Sequence, residues 1–467
     1  MLKRASGRYL PLLTLVLCTL LVGPGCNSGT GSSSGLPGAL GFNGEVLVLE
    51  GSLVGPSFAG GPGLIVAFTQ FPNTPRVPGT TVGTPSNVLV YNLENFIGAQ
   101  VSNATLPPLI GESFPGLDPS PNGDSFGPAV AVQGRSVAYV SDATNLVFPP
   151  TNGLSQAYVA NTFAGEAVAA SELVSRNQDG DAGNGPTFSV DIDESGRFVA
   201  MASRATNLHL YANNGAAQIL VWDRAVERMF LITEVVQSNG FVLPGNRDSR
   251  TPKITGDGRF VAFASDASNL TARDTNNTAD IFVFDRTKAV MKRASLDSAG
   301  MQTLTDNAEP TLSSNGRFVA FSGVDSTTPG GVRQIFLRDC LLGTTTLVTT
   351  MAGGVTEGDG DSGSPTLSAN GRFVAFQSVA TDLVPGDTNG FRDIFVFDRT
   401  TGVLARVTVD AAGLQSNADS GNPSLSSDGR FVAFDSFANN IGIVPGTGGD
   451  IPSALSNIFV FANPLSP

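Results

Sequence analysis

Ser364-Pro365-Thr366-Leu367-Ser368-Ala369-Asn370-Gly371-Arg372-Phe373-Val374-Ala375-Phe376 decides the fold, because its centre is written again and again along the chain. Gly-Arg-Phe-Val-Ala stands at 196–200, 258–262, 316–320, 371–375 and 429–433, and a looser copy reads Gly134-Arg135-Ser136-Val137-Ala138. The glycines are spaced by 62, 62, 58, 55 and 58 residues. A period of that length belongs to one multi-strand unit rather than to a hairpin, so the chain is a repeat protein.

Each unit reads as four strands. The best copy continues through Asp393-Ile394-Phe395-Val396-Phe397-Asp398-Arg399 and ends Leu404-Ala405-Arg406-Val407-Thr408-Val409. Asn370-Gly371, like Asp257-Gly258, Asn315-Gly316 and Asp428-Gly429, predicts a tight type I′ turn between the first two strands. The second and third strands are apolar at both alternating sets of positions, Phe260 and Ala262 against Val261 and Phe263 for example. Neither face is built to meet water, so sheets must stack on sheets. A ring of four-stranded sheets around an axis does this while exposing only short edges: an all-β propeller. Helical periodicity is absent from the mature chain.

Six copies give six blades, and a degenerate seventh is read from Pro56-Ser57-Phe58, Gly63 to Phe68 and Asn87 to Tyr91. Seven is the expected number, six the alternative. The last unit stops after its third strand, Asn457 to Phe461, while an unassigned strand-like run, Glu45 to Leu49, lies upstream of the first. Pairing the two closes the ring by strand exchange between the termini and removes an open edge.

The pattern Pro-x-Leu-Ser-x-Asp/Asn-Gly-Arg-Phe-Val-Ala-Phe, followed by Asp-Ile-Phe-Val-Phe-Asp-Arg, resembles the WD40-like propeller repeat of the TolB family over about residues 56–462. The resemblance implies a periplasmic or secreted binding scaffold. Related propellers precede a hydrolase domain in prolyl-oligopeptidase-like enzymes; here the repeat runs to within five residues of Pro467 and no such domain is expected.

Lys3, Arg4 and Arg8 precede an apolar run from Leu10 to Val22 that ends in small residues before Cys26. This order reads as an export signal over 1–25. Gly25-Cys26 and the Gly/Ser-rich stretch behind it resemble a lipoprotein signal, with Cys26 as the acylated residue and 26–43 as a flexible tether to a single domain over 44–467. Gly23 and Pro24 depart from the usual Leu and Ala or Ser, which leaves ordinary cleavage as the alternative. The expected location is therefore the envelope, anchored and facing periplasm or cell surface, or otherwise periplasmic or secreted.

Charged residues make up 14% of the chain and the formal net charge is −13, which becomes −16 once the three basic residues of 1–25 are removed. Such an acidic shell argues against nucleic acid or anionic lipid as ligands and leaves the lipid anchor as the route to the membrane. Cys340 is the cysteine left after Cys18 and Cys26, so no intrachain disulfide is expected.

Gly360-Asp361-Ser362-Gly363-Ser364-Pro365 resembles the nucleophile segment of trypsin-like proteases, but Asn417 to Pro423 and Gly123 to Pro128 repeat its position, which marks an inter-blade loop. The single histidine, His209, carries no mark of a catalytic base, and one histidine excludes multi-histidine metal sites. Hard-oxygen residues offer more. Asp274, Asn276 and Asp280, and again Asp387, Asn389 and Asp393, are spaced loosely like calcium loops; weak calcium binding and turn capping are the two readings. The recurrent Asp-Arg pairs and hairpin arginines read as blade-to-blade ion pairs and turn caps. Recognition is expected where the repeat breaks, at 103–121, 206–217, 235–247 and 439–455. The function so implied is a non-catalytic envelope scaffold that binds another envelope protein or a surface ligand, without a cofactor beyond weak calcium. A propeller enzyme acting on carbohydrate or peptide is the alternative.

Overall fold

Val, Ile and Phe crowd the second and third strands of every unit, and β-branched and aromatic side chains pack well on a pleated surface. The computed structural model describes residues 47–49, 53–58, 65–70, 86–92, 97–100, 121–131, 135–161, 171–324, 331–410, 412–441 and 456–466. No α-helix occurs among them. The export segment, Cys26 and the tether lie outside the described residues.

Six antiparallel sheets each take four consecutive strands. Sheet 1 is Leu53–Phe58, Ile65–Gln70, Asn87–Asn92 and Ile97–Gln100; sheet 2 is Ser125–Val130, Ser136–Ser141, Gln156–Asn161 and Glu172–Leu173. Sheet 3 is Thr187–Ile192, Phe198–Ser203, Gln218–Asp223 and Arg228–Leu231; sheet 4 is Ser249–Ile254, Phe260–Ser265, Asp280–Asp285 and Val290–Arg293. Sheet 5 is Asn307–Leu312, Phe318–Val324, Arg333–Asp339 and Thr344–Leu347; sheet 6 is Ser362–Leu367, Phe373–Ser378, Asp393–Asp398 and Val403–Arg406. A further sheet, numbered 7, joins Ser420–Leu425, Phe431–Ser436 and Asn457–Ala462 to the N-terminal strand Leu47–Leu49, with Val48 opposite Phe459. The alternative count of six corresponds to the consecutive-strand sheets; the count of seven and the terminal exchange depend on this composite sheet.

The sheets stack face to face in a propeller arrangement. Val261, Phe263, Phe282 and Phe284 of sheet 4 pack with Ala200, Ala202, Ile219 and Val221 of sheet 3, while Ala262, Ala264, Ile281 and Val283 on the opposite face pack with Val319 and Phe321 of sheet 5. This is why both alternating sets are apolar. Within a sheet, neighbouring rings stack: Phe263 on Phe282 at 5.8 Å and Phe376 on Phe395 at 5.7 Å. Between the first and last sheets, the Phe58 N–H donates to Ser424 Oγ at 3.2 Å.

The pentapeptide explains itself in space. Gly258 has φ of +70°, and an added Cβ there would lie 2.2 Å from the Phe198 ring of the preceding sheet. Gly316 meets Phe260 and Gly371 meets Phe318 in the same way. The phenylalanine of each copy is thus wedged beneath the glycine of the next. The turn differs from the type I′ expectation: Gly371 takes positive φ and Asn370 does not. Asn370 Oδ1 instead accepts the Arg372 N–H and the Ser368 hydroxyl, while Ser368 Oγ accepts the Phe373 N–H, so a longer loop satisfies its polar groups through side chains.

The arginines also correct the expectation. Arg430 pairs with Asp428 in its turn, while four of the hairpin arginines pair with the end of the third strand of their own sheet, Arg197 with Asp223, Arg259 with Asp285, Arg317 with Asp339 and Arg372 with Asp398, at 2.6–2.8 Å. Hydrogen bonds from these guanidinium groups hold the four carboxyls below the usual carboxylate range. The arginine after the aspartate is the one that crosses sheets, chiefly by stacking. Arg286 sits 4.0 Å over Phe198 and donates to the Gly258 carbonyl; Arg399 sits 4.1 Å over Phe318 and donates to Gly371.

Candidate functional site

The two candidate cation loops converge on an arginine. Asp274 and Asp280 lie 3.1 and 3.2 Å from the Arg293 guanidinium, and Asp387 and Asp393 lie 2.9 and 3.3 Å from Arg406. All six side chains are almost wholly buried. Asp280 also accepts from Ser295 at 2.6 Å and from Gln302 at 2.7 Å; Asp393 accepts from Thr408 at 2.5 Å and Ser416 at 2.9 Å. Burial pushes the Asp280 and Asp387 carboxyls above their usual range, and the neighbouring guanidinium opposes it.

The asparagines have a different task. Asn276 Nδ2 donates to the Thr303 carbonyl and Asn389 Nδ2 to Ser416; Asn152 and Asn214, in sheets without the aspartates, bond Gly183 and Gly245 in the same manner. They tie the loop to the next connection. Sheets 2 and 3 carry Pro150, Gln156, Leu173 and Ala212, Gln218, Leu231 where sheets 4 and 6 carry Asp, Asp, Arg. The chain therefore holds two interchangeable solutions at one place, a neutral glutamine beside leucine or a carboxylate pair around arginine. Sequence reasoning missed Arg293 and Arg406, although each follows its aspartate, Asp280 or Asp393, by the same 13 residues.

Residues from the first strand of each numbered sheet line one small axial cavity of about 190 Å³. Phe58, Val130, Ile192, Ile254, Leu312, Leu367 and Leu425, each ending its strand, form an apolar collar there. One step back along the strands stand Ser57, Ala129, Asp191, Lys253, Thr311, Thr366 and Ser424, each opposite an alanine. Asp191 and Lys253 break this ring with charge, Oδ1 to Nζ 3.6 Å, and Asp191 Oδ2 accepts the Ile254 N–H at 2.7 Å. Burial raises the Asp191 carboxyl above its usual range against the pull of Lys253. Drug-sized ligands occupy roughly 300–1,000 Å³, so the axial cavity is too small to be their seat.

The two faces of the propeller differ. The hairpin face carries the ordered Arg–Asp pairs. The opposite face carries the connections from second to third strands and from each sheet to the next. Here Arg204 pairs with Asp248, Arg250 with Asp266, and Arg333 with Asp306. Among the described residues, the exposed large apolar side chains lie in or beside these connections, apart from Val226, Val290, Leu341, Leu342 and Val403. Phe148, Phe188, Leu210, Phe391 and Phe437 are 61, 48, 78, 39 and 46% exposed.

Two of the expected repeat-breaking segments turn out to follow the repeat. Residues 206–217 fill a connection as long as that between Ser265 and Asp280, and 235–247 fall largely on the two-stranded ribbon Glu234–Val236 with Val242–Pro244, whose counterparts are the bridges Arg176 to Ala182, Leu296 to Gln302 and Val409 to Gln415. Loop length is kept where loop sequence is not. Residues 103–120 and 442–455 lie outside the described residues. The protease-like stretch is not a loop: Ser362–Leu367 is the first strand of sheet 6, with Ser362 Oγ on Ser378 Oγ at 2.8 Å. His209 accepts the Tyr211 N–H at 3.4 Å, and burial lowers its pKa. Three or more His, Cys, Asp or Glu side chains do not gather into a metal cage among the described residues.

No family model matches the sequence, and no curated protein does. Solved structures similar to the chain include propellers of mixed activity. The β-propeller domain of the Trilobed protease from Pyrococcus furiosus is 10% identical over 88% of this chain and 94% of its own, with a TM-score of 0.48. Putative TolB from Agrobacterium tumefaciens is 14% identical over 82% and 100%, TM-score 0.42. Oligogalacturonate lyase in complex with manganese is 10% identical over 90% and 98%, TM-score 0.47. The propeller assignment rests on the strand pairing and stacking described above.

Proposed function

We propose that the protein is an exported, non-catalytic scaffold whose connection face binds a protein partner at the cell envelope, and that its sheets are the blades of one seven-bladed ring completed by Leu47–Leu49. The observation that carries the reading is that, among the described residues, the exposed aromatic side chains all lie on the connection face. Phe148, Phe188, Leu210, Phe391 and Phe437 stand among arginines on one face of a rigid scaffold. Aromatic residues and arginine supply most of the binding energy in protein interfaces, and a face that gathers exposed aromatics marks such a surface. The order of basic residues, apolar run and Gly25-Cys26 supports export, with acylation at Cys26 as the anchor.

Photocrosslinking in the native host tests the reading. A photoreactive residue at Phe391 or Phe437 is expected to give a discrete protein adduct, and one at Val403 or Leu341 on the hairpin face is not. Equal adducts from both faces, or none from Phe391 and Phe437, refute the assignment. Mass spectrometry of the membrane-extracted protein tests Cys26 separately: an unmodified cysteine there refutes the lipid anchor.

A further inference from the structure

A second cleft runs along the outer edge between sheets 4 and 5, from Phe260 and Lys288 on the hairpin side to the connections at 271–275 and 300–302, and encloses about 870 Å³. Its origin can be read from the repeat. In sheets 4 and 6 the residue after the third strand is Arg286 or Arg399, which covers the phenylalanine of the preceding sheet and donates to a glycine carbonyl. Arg224 and Asn463 make the same bond to Gly196 and Gly429. In sheet 5 that place is held by Cys340, which has neither the length to cover Phe260 nor a guanidinium to stack on it. Phe318 beneath Arg399 is 4% exposed, while Phe198 beneath Arg286 and the uncovered Phe260 are both half-buried; Phe260 carries the Arg259 guanidinium of its own sheet at 4.5 Å and lines the cleft.

The charge around the vacated seat is also changed. Arg338 stands where the other sheets have Trp222, Phe284 or Phe397. It is 7% exposed, and its bonds go to neutral groups, the carbonyls of Leu296 and Asp297 and Thr345 Oγ1. Lys288 and Lys292 rim the same cleft, and Met291, Met301 and Leu296 supply apolar wall. Asp285, the acidic residue in the lining, is already paired with Arg259. In a chain of net charge −13 this concentration of cations is local and directional. The corresponding cleft of sheet 2, lined by Leu173, Arg176 and Asp181, lacks it: Glu172 and Asp181 stand beside a single arginine.

We propose that this cleft binds an aromatic organic anion, its ring lying against Phe260 in the seat that arginine fills elsewhere and its acidic group facing Arg338, Lys288 and Lys292. Volume fits the class. A stacked ring and a charge-assisted contact give such a ligand both orientation and affinity.

The probe is 8-anilinonaphthalene-1-sulfonate, titrated into the purified protein and followed by fluorescence and calorimetry, with N-phenyl-1-naphthylamine as the uncharged comparison. Saturable one-site binding of the sulfonate at sub-millimolar concentration is expected, with the uncharged probe at least about tenfold weaker. Cys340→Arg installs the residue used in sheets 3, 4 and 6 and is expected to abolish binding with no loss of thermal midpoint. Lys292→Glu, at an exposed position, is expected to weaken it about tenfold. Sulfonate binding that is absent, matched by the uncharged probe, or unaltered in both variants overturns the proposal.

Discussion

Removing Arg293 tests the idea that the aspartate-rich loops are organised around an internal cation. Arg293→Leu leaves Asp274 and Asp280, 3% and 1% exposed, without their counter-charge. Breaking a buried ion pair by deleting one partner typically costs about 3–5 kcal/mol, because the remaining charge stays out of water. Replacing the whole set is another matter. The triple variant Asp274→Ala, Asp280→Gln, Arg293→Leu installs what sheet 3 already uses at Ala212, Gln218 and Leu231, where Gln218 Oε1 accepts from Thr233 at 2.6 Å. Exchange of a buried ionic set for a packed neutral one is commonly neutral, or stabilising by about 1–4 kcal/mol. The triple is therefore expected to be at least as stable as the parent, and the single variant far less.

Urea and thermal unfolding of both variants and the parent measure this. The pH dependence has a definite sign. Asp280 is already raised by burial, and loss of Arg293 raises it further, so the folded state takes up protons above the unfolded pKa of about 3.9. The deficit of Arg293→Leu is thus largest near neutral pH and shrinks as pH falls toward that value. Millimolar calcium is expected to raise the midpoint of Arg293→Leu, whose carboxylates are free to take a cation, and to leave the parent unchanged. If single and triple variants are equally destabilised, or calcium stabilises the parent as much as Arg293→Leu, the arginine is not the organising charge.

Three other outcomes are expected. Gly258→Ala forces φ of +70° on a residue with a Cβ and drives that atom into Phe198, so it should lose more in a thermal melt than Gly402→Ala, which has φ of +72° and nothing within 4 Å; the backbone alone costs about 1–2 kcal/mol in each. Asp285→Asn should lower the midpoint at pH 7. The depressed Asp285 pKa supplies stability that is full above the unfolded value and is lost as pH falls through the folded one, so the difference from the parent should vanish only in strong acid. Deleting residues 44–50 removes the strand paired with Ile458–Val460 and should lower the melting midpoint of the whole domain, because the edge it leaves is open.

The fold was legible because one short peptide does three jobs in sheets 4, 5 and 6, and each job restricts what can stand there. Gly258 must take positive φ beside Phe198, Arg259 must reach Asp285, and Phe260 must lie under Gly316. Repetition in sequence is then the trace of repetition in contact. The loops were less legible for the same reason reversed. Residues 206–217 keep the length that spans second to third strand, but solvent on one side leaves their identity open, so they read as an insertion. Asp274 and Asp280 looked like ligands because the hard-oxygen spacing was visible and their counter-charge, Arg293 on the outer strand, belonged to a different segment.

The trace of that partnership is nonetheless in the chain: aspartate with arginine at 280 and 293 and at 393 and 406, glutamine with leucine at 218 and 231 and at 334 and 347. A repeat protein compares itself, since each unit meets the same neighbours under a different sequence. A residue shared by many units holds the fold, and a pair that changes together marks a contact. A residue that changes without supplying another cover, as Cys340 does where sheets 3, 4 and 6 have arginine, leaves Phe260 lining a cleft. That third pattern separates the cleft beside sheet 5 from the structural ion pairs around it. Cys340→Arg is therefore the most economical test of whether the change serves binding.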